Sequence, residues 1–312
     1  MGTRMHGMKA KIIDSVQITI SVIVAIIIFP IQGVSKEIAN LPLTIEKASK
    51  GESSAQSNLV DYYYNTAKNY SEAIHWCNIL IENADAKEHY KEYANRILGY
   101  CAYEGTGMNK SLDNAIRYWN QGVRLKGGSC ALSLARIYAK ELRDSVESIK
   151  WYQKSAELEN KTAANFLAQL YEMGYVLRSN DKKIYYPNIR RDIAQAAKFY
   201  EVYIKNMGYK WSGVPTNSKL LYKLAQWYYT GEENLERNYS KAFNYFNRAI
   251  ESNENSNTEY KLTSSEEGNA LWCISVCYRF GRGVEKDELI ARRYVKRAAE
   301  KGNENAIALL RE

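Results

Sequence analysis

The sequence predicts an all-α protein: an α-solenoid of about six helix-turn-helix repeats with a C-terminal capping helix, preceded by an N-terminal signal or anchor segment. A pattern of small and apolar residues recurs at roughly 33 to 57 residues, and its shorter spacings are typical of helix-hairpin repeats. Within each repeat the pattern has the spacing of one helix face. The chain has only 4 Pro against 26 Tyr and 6 Trp, which favours long helices with aromatic packing over an all-β fold.

The N-terminal segment has the features of an export signal. Basic residues precede an apolar run at Val16–Ile31, and residues 33–35 are small enough for a cleavage site. The run is shorter than the ~20 residues of a comfortable membrane span, so we expect residues 1–35 to be a signal peptide, with an uncleaved anchor as the alternative. The expected location is periplasmic or secreted, or else inner-membrane anchored and facing the periplasm. Residues 36–51 are predicted as a linker.

The rest of the chain, residues 52–312, carries the repeats. The predicted units are residues 52–88, 89–127, 128–160, 161–217, 218–268 and 269–312. In each unit the first helix has small or apolar residues at a starting position and four, five and eight residues later, as in Ala163, Leu167, Ala168 and Tyr171. The second helix has a small residue followed by apolar residues three, four, seven and eight positions later, as in Ala196, Phe199, Tyr200, Tyr203 and Ile204. The small residues are expected to let a neighbouring helix approach, and the aromatics to fill the space beside it.

Glycine marks the turn between paired helices in four of the units. Gly105, Gly174, Gly231 and Gly281 each follow the tyrosine position by three residues, where a helix ends in a left-handed conformation. Units one and three lack this glycine.

Three connections are longer than the repeat requires. They are residues 175–195, which we expect to form a hairpin or loop at the edge of the solenoid, residues 205–218, and the polar residues 252–268, expected to be a mobile loop. Residues 303–311 are predicted to form the capping helix.

Two units resemble a known repeat. Unit six carries the run Tyr278 to Asp287 followed by Ala291, Tyr294 and residues 298–302, and unit two carries Leu98-Gly99, Gly105-Thr106-Gly107, Ala115 and Trp119. This pattern resembles the Sel-one-like repeat, a short relative of the tetratricopeptide repeat. The resemblance covers about residues 52–312 and implies a scaffold that binds other proteins.

Catalytic and metal-binding patterns are weak. The net charge of +8 is spread among alternating acidic and basic residues, so binding of nucleic acid is not expected. Five cysteines cannot all pair within one chain and are predicted to be small buried hydrophobes. His75 is predicted to lie on the surface. Ser179 begins a Ser-x-x-Lys match that lacks the other motifs of penicillin-recognising enzymes. No catalytic residue, metal or cofactor is expected.

A binding surface has better support. Positions on the first helices that point away from the small-residue face are rich in Tyr, Trp and Arg, which commonly anchor protein interfaces. In tetratricopeptide-like arrays this stripe lines the concave surface. The predicted partner-binding residues are Tyr64, Tyr93, Arg96, Tyr100, Tyr103, Arg136, Lys140, Tyr222, Gln226, Tyr229, Trp272, Arg279 and Phe280. The alternative for several of the tyrosines is packing between adjacent units.

The predicted function is therefore an exported protein-protein interaction scaffold that binds a partner in its concave helical groove. The partner is another protein, with a secreted toxin and an envelope complex as candidates. One specific form is an immunity-type inhibitor of a secreted toxin, because relatives of this repeat family occur beside such toxins. The alternatives are an envelope enzyme, related to the cell wall or to β-lactams and acting through the loop near Ser179, and a lumenal quality-control adaptor. A membrane is expected to be contacted only through an uncleaved N-terminal segment.

Overall fold

The computed structural model describes residues 41–177, 183–186, 188–205, 217–254 and 261–312. The chain divides into two units, one ending at Tyr90 and the other running from Lys91 to Glu312. Each is described by itself. Among the helices that these ranges contain, none is both long and apolar enough to cross a bilayer. The predicted signal segment lies outside the described residues.

The first unit holds α1 (Leu41–Ser49), α2 (Ser53–Asp61), a π-helical turn (Tyr62–Thr66) and α3 (Tyr70–Glu82). Helix α1 was not expected, because residues 36–51 were predicted as a linker. It packs against α2 through the buried Ala48, whose carbonyl oxygen accepts a hydrogen bond of 3.1 Å from Gln56 Nε2. Nine residues with one buried side chain leave too short a periodic pattern to recognise in the sequence.

The second unit consists of helix hairpins. Its helices are α4 (Glu88–Glu104), α5 (Leu112–Arg124), α6 (Gly128–Lys140), α7 (Ser145–Glu157), α8 (Lys161–Met173), α9 (Ile193–Lys205), α10 (Ser218–Thr230), α11 (Tyr239–Glu254), α12 (Ser264–Phe280), α13 (Glu288–Glu300) and α14 (Glu304–Arg311). They pair in sequence as first and second helices of five repeats, and α14 is the predicted C-terminal helix. We call the connection between the first and second helix of a repeat its hairpin turn. The all-α solenoid prediction is confirmed in its repeating helix pairs.

Small residues set the distance between paired helices. In the α4–α5 pair, Ala94, Leu98 and Gly99 are buried, and the indole of Trp119 lies directly against Gly99. Trp119 is 1% exposed, and its Nε1 donates a hydrogen bond of 3.3 Å to the carbonyl oxygen of Arg96. The predicted pairing of a small residue with an aromatic is therefore observed in atomic contact.

The turn glycines have the predicted left-handed backbone. Gly105, Gly174, Gly231 and Gly281 have φ of 80°, 74°, 75° and 67°. In the α6–α7 turn, which lacks glycine, Arg143 takes the positive φ, at 54°. Glu141, which occupies the glycine position, stays right-handed with φ of −92°, so this turn takes its left-handed residue two positions later than the glycine turns do.

The longer connections contain more regular structure than predicted. Strand β1 (Val176–Leu177) pairs antiparallel with β2 (Lys183–Ile184), so the expected edge hairpin forms and the described residues are not purely helical. Helix α11 extends to Glu254 and α12 starts at Ser264, which shortens the loop predicted at 252–268. Residues 178–182, 187, 206–216 and 255–260 of these connections lie outside the described residues.

Two carboxylates bind several donors from neighbouring helices. Glu172, at the end of α8, accepts 2.6 Å from Tyr200 Oη on α9 and 2.8 Å from Lys223 Nζ on α10. Glu201 on α9 accepts 2.8 Å from Tyr228 Oη and 2.8 Å from Lys241 Nζ. Each carboxylate therefore ties the fourth repeat to the fifth, and neither role was visible in the sequence.

We expect the protein to lose stability in alkali. Burial, with the neighbouring Glu172 or Glu201, raises the pKa of Tyr200, Tyr228 and Tyr245 above the ordinary 10.0. Burial also raises the pKa of Cys273 to about 12 and that of Cys277 to about 11, from 9.0. A group with a raised pKa keeps its proton to a higher pH in the folded state than in the unfolded chain. Stability is therefore intact below about pH 9 and falls above it, as the unfolded chain loses protons.

The measurement is the urea midpoint at pH 8, 9.5 and 11. The midpoint should fall at each step, and the slope with pH should be shallower in Tyr245→Phe, which cannot ionise at that position. Equal midpoints at pH 8 and 11 would contradict the expectation.

Candidate functional site

The predicted binding residues fall into three places. Tyr64 belongs to the first unit, where its ring packs edge-on against Tyr70 with centroids 5.6 Å apart. The remainder lie in the second unit, on α4 and α6 or on α10 and α12. The predicted stripe is therefore divided among separate groups of helices.

Three of the predicted residues on α4 and α6 are basic. We call the side chains of Arg96, Arg136 and Lys140 the first-helix row. Arg96 lies over the ring of Tyr93 at 4.9 Å, and both side chains are half-buried. Arg136 and Lys140 are exposed and one helical turn apart. The row thus offers three basic groups on neighbouring first helices.

Tyr100 and Tyr103 join those helices together. Ser133 Oγ donates 3.0 Å to Tyr100 Oη, and Tyr103 Oη donates 2.7 Å to Glu141 Oε1. Both rings also contact Trp119, with centroids 5.5 and 6.1 Å away. These two tyrosines pack between adjacent repeats, as the alternative interpretation had it.

Tyr222 is a correction to the predicted stripe. It is only 6% exposed and packs against Phe246, so it is not available to a partner in this structure. Its hydroxyl accepts 3.0 Å from Nε2 of the exposed Gln226, one turn further along α10. A tyrosine is long enough to reach inward from a position at the border of the buried face, which counting helical positions does not show. Trp272 on α12 is half-buried.

The last three predicted residues lie in an aromatic and arginine cluster at the hairpin turns of repeats five and six. We call Tyr229, Arg237, Tyr239, Arg279, Phe280 and Arg282 the turn cluster. Arg282 Nη1 donates 3.1 Å to Tyr229 Oη, and its guanidinium lies 5.2 Å from the Tyr239 ring centre and 5.4 Å from that of Phe280. Arg237, in the hairpin turn that precedes Tyr239, lies 5.7 Å from the centre of the Tyr239 ring.

Exposure is greatest at the rim of the turn cluster. Phe280 is 61% exposed, although it is a large apolar residue, and Arg279 lies over its ring at 5.9 Å. Cation–π contacts hold the guanidinium groups in fixed positions without neutralising them. The turn cluster is therefore a preorganised surface with both an apolar and a cationic part.

Sequence reasoning missed Arg237, Tyr239 and Arg282 in this cluster. The search for binding residues was confined to first-helix positions, whereas these three lie in a hairpin turn or at the start of a second helix. A signal was present in Gly281-Arg282-Gly283, where an arginine sits between two turn glycines. Tyr229, Arg279 and Phe280 were found because the first helices end there.

The described residues show little that points to catalysis. No group of three or more His, Cys, Asp or Glu within them is arranged to hold a metal ion. His75 is exposed, as predicted. Four of the five cysteines are buried and Cys273 is partly exposed, so their prediction as small core residues is confirmed for those four. Ser179 lies outside the described residues.

The Sel1 repeat family model matches this chain at residues 62–85, 93–126, 131–160, 162–183, 218–254 and 268–303. The matches give one range for each of the six predicted repeats and together span more than half of the chain. They confirm the resemblance seen in units two and six and extend it to the units without a turn glycine. Proteins built from this repeat generally serve as scaffolds that bind other proteins.

Individual similarities are weaker. An uncharacterized Sel1-like repeat-containing protein of Schizosaccharomyces pombe is 25% identical over 202 residues, which is 64% of this chain and 27% of that protein. The chain thus spans about a quarter of the length of this curated relative. Among solved structures, a protective antigen of uropathogenic Escherichia coli with an SLR fold is 20% identical with a TM-score of 0.43, covering 86% of this chain and 50% of that one. A Sel1 repeat protein from Oxalobacter formigenes is 19% identical with a TM-score of 0.39, covering 82% and 86%.

Proposed function

This chain belongs to the Sel1 repeat family, and from that premise we propose that it is an exported scaffold that holds one protein partner against its first helices. The observation that carries the proposal is the first-helix row. Because Tyr100 and Tyr103 fix α4 beside α6, two neighbouring first helices together present the half-buried Arg96 and the exposed Arg136 and Lys140. Arginine on a rigid support is favoured at protein interfaces, since less side-chain freedom is lost on binding.

Export is part of the proposal because of the N-terminal sequence. The apolar run at Val16–Ile31 and the small residues after it support a signal peptide, and the partner would then be met in the periplasm or outside the cell. N-terminal sequencing of the protein recovered from cells tests this directly. A chain that begins after residue 35 supports it, and a chain that is intact and cytoplasmic contradicts it.

The test of the scaffold uses affinity purification of the tagged full chain from its native envelope, with mass spectrometry of what is retained. We expect Arg136→Ala with Lys140→Ala to reduce recovery of the specific partner by about tenfold, because two exposed cations are removed from the surface. The matched control is Lys150→Ala with Lys154→Ala, two exposed cations on the second helix α7. Equal recovery in both double variants contradicts a binding surface on the first helices.

A narrower form of the proposal is an immunity-type inhibitor of a secreted toxin. It is supported by the leader sequence and by membership of a scaffold family, and it requires that the partner be a toxin. Co-expression of this chain with a partner recovered above should then protect cells from that partner's toxicity. Wild-type chain that binds the partner without protecting the cell contradicts this form and leaves the scaffold in place.

A further inference from the structure

Large apolar side chains are exposed mainly at one kind of place in the second unit. Among the described residues of this unit, those that lie close to a hairpin turn are Leu142, Val146, Met173, Tyr185, Phe280 and Leu289, and one more, Leu310, is in the last helix. In a stack of helix hairpins the first helices run the same way, so their turns follow one another along a single edge. Exposed apolar residues gathered in this way indicate a contact surface more than scattered ones do.

The turn cluster adds positive charge to this edge. Among the residues that the structure describes, Arg237, Arg279 and Arg282 form no ion pair with a carboxylate, whereas Arg191 and Arg297 do. Arg237 and Arg282 instead donate to neutral oxygens and lie over aromatic rings. Their charges are therefore held in place and still available to an anion.

Three of the carboxylates at these two turns have partners. Glu233 pairs with Arg191 at 2.6 Å, Asp287 accepts the backbone N–H of Ile290 as the cap of α13, and Glu288 pairs with Arg292 at 3.5 Å.

Three further carboxylates lie at the same turns, the exposed Glu236 and Glu285 and the partly exposed Glu232. They show no ion pair with the cluster arginines in the described part of the chain. The local surface is thus a few fixed cations beside an exposed phenylalanine, with acidic residues at its border.

We propose that the turn cluster binds an acidic peptide segment of a partner protein, in which carboxylates flank an apolar side chain. The carboxylates meet the guanidinium groups of Arg237 and Arg282, and the apolar side chain packs on Phe280. Arginine forks bind carboxylates with two parallel hydrogen bonds, which a single lysine does not offer. The proposal rests on the scaffold function and names a second surface and the chemistry of its ligand.

Charge and shape favour a peptide over nucleic acid. A nucleic-acid surface is a long basic stripe that contacts successive phosphates. Here the basic groups are confined to two hairpin turns, Glu236 and Glu285 interrupt them, and Phe280 and Leu289 are exposed beside them. An acidic segment with one apolar anchor matches this arrangement.

The experiment measures fluorescence anisotropy of the labelled peptide Gly-Glu-Glu-Phe-Glu-Leu-Glu-Glu-Gly with the purified full chain. We expect saturable binding that weakens in 0.5 M NaCl, and about a fivefold or greater rise in Kd for Arg237→Gln, Arg282→Gln and Phe280→Ser. The control Arg124→Gln, an exposed arginine at the end of α5, should keep the wild-type Kd. The same peptide with lysine in place of glutamate should not bind.

Several outcomes overturn the proposal. They are no saturable binding of the acidic peptide, equal binding of the lysine peptide, an unchanged Kd in all three variants, or tighter cluster-dependent binding of a single-stranded oligonucleotide. Circular dichroism melts check that the variants fold. If Arg282→Gln does not fold, Phe280→Ser still tests the proposal, because the Phe280 ring lies largely outside the core. If the acidic peptide does not bind, while Arg136→Ala with Lys140→Ala still reduces recovery of the partner, the scaffold function stands and the turn-cluster proposal is wrong.

Discussion

Gly283→Ala is expected to lower the free energy of unfolding by about 3 kcal/mol or more, through loss of a close backbone contact. Gly283 has φ of +76°, and a Cβ built on it overlaps the backbone carbonyl of Tyr239. Because the obstacle is backbone at the start of α11, no flexible side chain can move aside. The turn of repeat six would have to shift away from repeat five.

The matched control for Gly283→Ala is Gly302→Ala. Gly302 has φ of +85°, and a Cβ there meets nothing within 4 Å, so this variant measures the cost of backbone strain alone, about 1 kcal/mol. Urea unfolding of both variants gives the comparison. If the two variants lose the same stability, the contact with Tyr239 contributes nothing and the expectation is wrong.

Gly283→Ala also connects the fold to the proposed ligand site. The approach of Gly283 to Tyr239 is what brings the neighbouring Arg282 over the Tyr239 ring, at 5.2 Å. Moving this turn should separate Arg282 from Tyr239 and Phe280 even where the chain remains folded. The acidic peptide should then bind more weakly to the folded variant than to wild type.

The repeat itself could be predicted from the sequence because its determinants are local. Helix spacing, a small residue at the contact and a glycine after the helix are each encoded within one hairpin, as in Leu98, Gly99 and Gly105. Six copies of the pattern made chance agreement improbable. The fold class therefore followed from counting positions within short segments.

The binding surface was harder to predict from the sequence than the repeat fold, because its parts come from different repeats. Tyr229 and Arg282 are joined by a hydrogen bond of 3.1 Å although 53 residues separate them. Their contact depends on how one hairpin turn lies against the next, which no short segment encodes. The inward position of Tyr222 has the same origin, since Phe246 on the following helix provides the space that its ring fills.

A repeat array with exposed side chains at its turns can acquire a ligand site at little structural cost. Residues in the turns carry few core contacts, so Arg237 or Phe280 can change without emptying the space between helices. The first-helix row is more constrained, because its Lys140 also bonds to Tyr103 of the neighbouring repeat. Substitutions are therefore expected to be tolerated more readily at the turns than in the first-helix row.

Gly99→Ala is expected to lower the free energy of unfolding by about 2 to 4 kcal/mol, through overpacking against a buried indole. A Cβ on Gly99 overlaps the side chain of Trp119, which is 1% exposed and donates its Nε1 hydrogen to the carbonyl of Arg96. Moving the indole breaks this hydrogen bond and disturbs the packing of Tyr100 and Tyr103 on it.

The indole can be tested as the cause by repeating Gly99→Ala in a Trp119→Ala background. Trp119→Ala alone costs about 3 to 5 kcal/mol for the lost burial, but it removes the obstacle. Adding Gly99→Ala there should be neutral or stabilising by up to about 1 kcal/mol, since alanine favours a helix over glycine. Urea unfolding of the four proteins gives the coupling between the two sites. An equal loss from Gly99→Ala in both backgrounds would show that the contact with Trp119 is not what makes glycine necessary at this position.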